Sequence, residues 1–326
     1  MAQIVLGLAT SHSPQLSTPA TLWSHHGERD KRNPDLRRPD GRVCTYEELV
    51  AAAGSAFQRE LTPKTWQTRY EACQQGLAQL AQALTDAAPD VLIIIGDDQK
   101  ELFQDDNMPA MLVYWGETIH NTPRYRDTPS PALQAAAWAY GEKETDYPVA
   151  TSLATHLIGT LMEQEFDIAH SRHLPPGQGM GHAFSFIYGR IMHGTPIPIV
   201  PVMLNTYYAP NQPTPKRCYA LGQAIQQAVE SWPQTQRVAV IASGGLSHFV
   251  IDEDLDQRTL RALQQKDAAA LTSLPRASLD SGNSEIRNWI AVAGAVEHLD
   301  MHLVDYVPCY RSPAGTGCAM GFATWS

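Results

Sequence analysis

A chain of 326 residues, 43% hydrophobic and 18% charged, has material for a sizeable core in one large domain or two small ones, and is no disordered tail. Its 24 Lys and Arg against 34 Asp and Glu leave a formal net charge of −10, which argues against nucleic acid or an anionic membrane surface as the main partner. No apolar run approaches the roughly 20 residues that span a bilayer. Met1 to Gly7 lacks a basic leader and reads as a strand, and five cysteines with no CxxC pair suit reduced, mostly buried thiols in a cytoplasmic protein.

Ile4 to Ala9 is an apolar strand running into Thr10-Ser11-His12-Ser13-Pro14, a loop that presents a histidine. A charged, proline-containing excursion follows from His25 to Arg42, in which His25 and His26 are expected to be solvated. It ends at an Asp40-Gly41 turn, after which Thr45 and Glu48 form the capping box of a short helix over 46–53. Trp66, Tyr70, Cys73, Leu77, Leu80 and Leu84 recur at steps of three and four, so 64–87 is a long amphipathic helix. It feeds Val91-Leu92-Ile93-Ile94-Ile95, apolar on both faces as a strand covered by helices must be, and this strand too stops at a polar cluster, Gly96-Asp97-Asp98-Gln99.

A strand is expected over 110–115, helices over 131–140 and 150–164, and a short strand near 166–169. A glycine-rich loop, Gly177-Gln178-Gly179-Met180-Gly181, then leads to His182. The strand over 197–204 ends at Asn205-Thr206-Tyr207-Tyr208, and 216–231 is a helix with Leu221, Ile225, Ala228 and Val229 on one face. Val238 to Ala242 is a β-branched run that breaks into Gly244-Gly245 and presents His248. Residues 254–274 are mostly helical, Ser281 to Glu285 cap a helix through Leu299, and the closing segment is rich in glycine and small residues. Strands alternating with helices throughout, with no repeat and no linker, predict one α/β domain over 1–326 with a mainly parallel central sheet flanked by helices.

Three strand-end loops thus carry His12, Asp97-Asp98-Gln99 and His248, and His182 and Glu285 are candidates to join them. Open α/β sheets collect ligands at the carboxyl ends of their strands. Imidazoles and carboxylates converging there suit a divalent first-row metal, and two histidines with one carboxylate mark non-haem Fe(II) oxygenases. Nothing in the spacing is as diagnostic as HExxH, and a carboxylate at Glu285 is favoured by the helix dipole whatever its function. Ser247 beside His248 lacks a GxSxG elbow. There is no P-loop and no GxGxxG after a strand. His156 reads as a packed or rim histidine.

Thr10-Ser11-His12-Ser13-Pro14, Pro215-Lys216-Arg217-Cys218-Tyr219-Ala220-Leu221-Gly222, Gly245-Leu246-Ser247-His248 and Gly282-x-x-Glu285-x-x-x-Trp289 resemble the class III extradiol ring-cleavage dioxygenases. The similarity is to the catalytic β subunit of protocatechuate 4,5-dioxygenase and its gallate and 3-O-methylgallate relatives. It runs from Ile4 to about Phe322, with His25 to Tyr70 as the main insertion. The resemblance implies that His12 and Glu285 ligate Fe(II), that His248 is the catalytic acid/base, and that His182 stands near substrate and oxygen. It further implies a catechol-type aromatic acid and O2 as substrates, and a homodimer, with the insertion in place of a small α-type subunit or alongside one. One position departs from the pattern: Gln99 stands where the family has its second iron histidine, with Phe103 in register behind it. Three readings are open: Gln99 coordinates weakly, Asp98 takes its place, or the metal is different or absent. The last leaves room for a metal-dependent hydrolase or a non-catalytic relative on the same scaffold.

Overall fold

The computed structural model describes residues 1–193 and 196–326. Its centre is a nine-stranded mixed sheet. Gln3–Thr10, Arg237–Ser243, Val91–Asp97 and Ile199–Leu204 lie side by side in that order, and all four are parallel. Beyond Ile199–Leu204 come Met111–Tyr114, antiparallel to it, and Ala169–Ser171. The strand Val91–Asp97 is wholly buried because helices cover both faces. Its Val91, Ile93 and Ile95 join one apolar cluster with the helices Thr151–Glu163, Pro215–Ser231 and Ile286–Ala295. Leu92 and Ile94 join the other, with Pro63–Ala87 and His182–Arg190. This is the expected α/β fold with a parallel centre. Among the described residues no helix is long and apolar enough to cross a membrane.

The closing segment, rich in glycine and small residues, carries strands that its composition did not announce. It is a hairpin of two ten-residue strands, Met301–Tyr310 and Thr316–Trp325. One edge of Thr316–Trp325 pairs with Met301–Tyr310, and the other pairs with both His248–Val250 and Gln3–Thr10. Glycine ordinarily counts against a strand, but here small residues are required by close approach. A Cβ on Gly317 would lie 2.2 Å from the Cys309 carbonyl, and one on Gly321 would meet Leu246 and Trp289. The last helix is also shorter than expected: Ser281–Glu285 is a 3₁₀ turn and the α-helix ends at Ala295.

The insertion forms a helix, Trp23–Asp30, a small hairpin, Leu36–Arg37 with Val43–Cys44, and the helix Tyr46–Ala53 behind its Thr45–Glu48 capping box. His26 is not solvated: it is 3% exposed and its Nε2 lies 3.0 Å from Thr18 Oγ1. The reason is a buried ion pair on the same helix. Asp30 accepts two bonds from the Arg311 guanidinium, at 2.7 and 2.8 Å, and one from the Thr316 hydroxyl. That clamp presses this face of the helix onto the closing hairpin. All five cysteines are buried and unbridged, as expected.

Candidate metal centre

The carboxyl ends of the four parallel strands deliver the site. Gln3–Thr10 leads to His12, Val91–Asp97 to Asp97 and Gln99, Ile199–Leu204 to Tyr207, and Arg237–Ser243 to Gly245 and His248. Glu285 arrives on the turn before Ile286–Ala295, and His182 on the first residue of His182–Arg190. His12 Nε2 lies 3.1 Å from His182 Nε2, 3.2 Å from Glu285 Oε2 and 3.9 Å from Asp97 Oδ1. All four side chains are buried. His12, His182 and Asp97 each turn one donor atom toward a common point, all within 4.8 Å of one another.

Glu285 is the most heavily used acceptor. Its Oε1 takes the Tyr207 hydroxyl at 2.6 Å and faces His248 Nε2 at 3.2 Å, while Gly245 N–H donates to Oε2. Burial opposes ionisation of Glu285, but the His248 and His12 imidazoles outweigh it and hold the carboxyl well below its usual range. His248 donates Nδ1–H to the Leu246 carbonyl at 2.8 Å, which directs Nε2 at Tyr207 and Glu285. Burial alone would lower His248, yet the Glu285 charge dominates and pushes it up to about 10.

Asp97 is pushed up to about 8 by burial and by the Glu285 charge beside it. Two buried carboxylates next to two imidazoles are a donor set that suits a divalent first-row cation, whose charge would offset their repulsion. The residues present therefore fit such an ion.

Of the residues expected from sequence, His12, His182, His248, Gln99 and Glu285 are brought together around one cavity of about 200 Å³, which Arg29, Tyr125 and Phe249 also line. Gln99 enters it by its amide nitrogen, 3.2 Å from Glu285 Oε1 and 3.3 Å from Asp97 Oδ2. Asp98 turns away: its oxygens accept the backbone N–H groups of Leu102 and Phe103. Ser247 donates its hydroxyl to Asp256 at 2.6 Å, a structural bond, and His156 faces the Ala228 carbonyl at 3.0 Å. A wider surface groove of about 700 Å³ beside His120, Asp146 and Arg172 contains none of these groups.

Sequence reasoning set Asp97 in a strand-end cluster without giving it a ligand's role, and missed Tyr207, Glu101 and Arg124. Tyr207 had a signal, since it stands just past the end of a central strand. Glu101 and Arg124 had none: they sit in irregular loops, and only in the folded chain does Glu101 meet His182 and Arg124 meet Glu101. Glu101 accepts His182 Nδ1–H at 2.7 Å and pairs with Arg124 at 2.6 Å. Burial would raise Glu101, but the His182 and Arg124 charges overcome it and hold it at about 2. Glu101 in turn raises His182, against the lowering effect of burial.

Residues 54–315 match the family described as the catalytic LigB subunit of aromatic ring-opening dioxygenase. Gln99, His182, His248 and Glu285 lie within the match, and His12 precedes it. The chain is 37% identical over 102 residues to a gallate dioxygenase of Pseudomonas putida, covering 31% of this chain and 29% of that protein. It is 30% identical over 177 residues to a 2,3-dihydroxyphenylpropionate/2,3-dihydroxicinnamic acid 1,2-dioxygenase of Comamonas testosteroni, covering 54% of this chain and 49% of that one. A protein of the same description from Photorhabdus laumondii is 28% identical over 178 residues, covering 54% and 48%. The chain spans about half the length, or less, of these curated relatives. A match over most of its residues, on a parallel-centred α/β sheet, places the chain in the family of LigB-type catalytic subunits of aromatic ring-opening dioxygenases.

Proposed function

We propose that the protein opens the ring of a catechol-type aromatic acid of the protocatechuate, gallate or 3-O-methylgallate class with O2, at a non-haem Fe(II) centre held by His12 and Glu285. The observation that carries this reading is the convergence of imidazoles and buried carboxylates at the carboxyl ends of the parallel strands, inside a cavity of about 200 Å³. An apolar cavity of about 150 Å³ takes up benzene, so this one has room for a single substituted ring. When bound, the iron supplies a centre at which the catecholate and O2 exchange electrons.

His248 Nε2 is the group that handles the phenolic proton. Once the Glu285 charge is engaged elsewhere, His248 loses the main cause of its raised pKa and becomes able to accept that proton. The Tyr207 hydroxyl, 3.1 Å from His248 Nε2, keeps the imidazole aimed into the cavity. His182 closes the wall beside His12. Arg29 lines the same cavity from the insertion, and its guanidinium suits the carboxylate of an aromatic acid. The assembly that goes with this reading is a homodimer, with the insertion in place of a small α-type subunit or beside one; the mass of the protein in solution measures it.

The test is O2 uptake by protein loaded anaerobically with Fe(II), offered protocatechuate, gallate and 3-O-methylgallate in turn. One O2 should be consumed per ring opened, and Arg29→Ala should raise KM for the acids more than for unsubstituted catechol. No uptake with any of them would overturn the reading, and turnover of an aryl ester by the same metal-loaded protein would put a metal-dependent hydrolase in its place.

A further inference from the structure

We propose that His182, not Gln99, supplies the second imidazole of the metal centre, and that Glu101 and Arg124 are the positioning residues that aim it. The inference rests on the metal-dependent reading above and deepens it.

The Ser243 hydroxyl spends its one hydrogen on the Ala183 carbonyl at 2.7 Å, so toward His12 Nδ1, 3.1 Å away, it can only accept. When neutral, His12 is therefore protonated on Nδ1 and bare on Nε2. Glu101 already accepts the His182 backbone N–H and is paired with Arg124, so as a carboxylate it can only accept from His182 Nδ1 at 2.7 Å. His182 is likewise bare on Nε2 when neutral. Two lone pairs then face each other across 3.1 Å in a buried place. They repel unless a cation lies between them, either a proton or a metal ion.

The 3.1 Å spacing admits either, and the third donor converging on the same point, Asp97, favours the metal. Two nitrogens at right angles about one ion, each at about 2.1 Å, stand about 3.0 Å apart. A carboxylate on the far nitrogen is also the usual partner of a metal-bound histidine, because it fixes the tautomer and the ring's aim.

Gln99 has the opposite character. Its amide nitrogen sits between Asp97 and Glu285, donating to both. Turning the amide over would set its oxygen against the Glu285 carboxylate. Gln99 thus ties two acidic side chains together and offers no lone pair to an ion. The second imidazole then comes from a different loop than the one the family resemblance implies.

The experiment titrates metal-free protein with Co(II) under argon and reads affinity and the proton spectrum of the complex. Wild type should bind one equivalent and show two strongly shifted, exchangeable imidazole N–H signals, one from each Nδ1–H. His182→Ala should lose about 10- to 100-fold in affinity or more, together with one of the two signals. Gln99→Ala should keep both signals and lose less than about tenfold, since only a tether is removed. Glu101→Gln should weaken binding about 10- to 100-fold, as removal of a ligand's carboxylate partner does. His182→Gln guards against a variant that fails to fold: a folded H182Q with one signal supports the proposal. His182→Ala with wild-type affinity and both signals overturns it. Metal bound by both histidines without catechol cleavage leaves this inference standing and removes the dioxygenase reading. Catechol cleavage by a wild type showing one imidazole signal does the reverse. A wild type that binds neither Co(II) nor Fe(II) overturns both.

Discussion

At the scale of single residues, the contrast between His12 and His248 is instructive. Both are buried histidines at the ends of parallel strands, and both contact Glu285. His12 turns Nδ1 away from the cavity, toward Ser243, and Nε2 inward. His248 also spends Nδ1–H on a backbone carbonyl, but its other nitrogen meets a hydroxyl and a carboxylate oxygen, both of which favour a second proton. Both Nε2 atoms face Glu285, but only that of His248 also meets the Tyr207 hydroxyl, whose hydrogen is spent on Glu285 and which can therefore only accept. His248→Ala should therefore keep its metal and lose about 10² to 10⁴-fold in turnover, the usual range for a general acid/base. Metal analysis beside steady-state rates checks it; a variant that loses metal instead would make His248 a ligand.

At the scale of elements, the site depends on how closely Pro215–Ser231 and Ile286–Ala295 cross. A Cβ on Gly222 would stand 1.9 Å from the Ala291 carbonyl, and one on Gly294 would stand 2.2 Å from that of Tyr219. Each helix thus supplies a glycine where the other's backbone passes. Gly294→Ala should force them apart at a cost of about 1–3 kcal/mol, the usual penalty for overpacking, measured by chemical denaturation. Because Glu285 rides on the turn before the same helix, metal affinity should fall in step. Unchanged stability would show that the crossing has slack.

Elements of this kind were partly legible in the chain. The strand Val91–Asp97 and the helix Pro63–Ala87 declare themselves because their signals, an unbroken apolar run and a three-to-four period, are local. The strand-end loops with His12, Asp97 and His248 were legible for the same reason. The closing hairpin was not, because Gly321 answers to Leu246 and Trp289, far back along the chain. Nor was the Glu101–His182 pair, which joins residues 81 apart through loops with no periodicity. His26 was misread because the Asp30–Arg311 pair that buries its helix spans 281 residues.

At the scale of the whole molecule, Asp256 links three separate parts of the chain. It accepts the Ser247 backbone N–H and hydroxyl beside the site and the Tyr306 hydroxyl from the closing hairpin. Burial pushes its carboxyl up to about 7 despite those three bonds. Between about pH 4 and 7 the folded protein then holds a proton that the unfolded chain has released, so stability falls as pH rises through that window. Unfolding free energies of wild type and Asp256→Asn, measured from pH 4 to 8, should differ by an amount that shifts against wild type by up to about 4 kcal/mol as pH rises. A difference that stays flat would show that Asp256 titrates normally.

The strand that carries the chain to His12 has its two sheet neighbours in Arg237–Ser243 and Thr316–Trp325, both far downstream. On a ribosome, residues 3–10 must wait for more than 200 others before either neighbour exists, and for Thr316–Trp325 before both do. Contacts of such long sequence separation are slow to form and leave apolar strand edges open meanwhile. His248 sits on the strand that pairs with Cys318, so it too is fixed only when the last segment docks. A nascent chain of three hundred residues already contains every side chain of the metal centre and still cannot hold them in place. The newly made protein spends its longest exposed interval with unpaired edges and an unassembled site, which makes this the stage at which a chaperone would matter most.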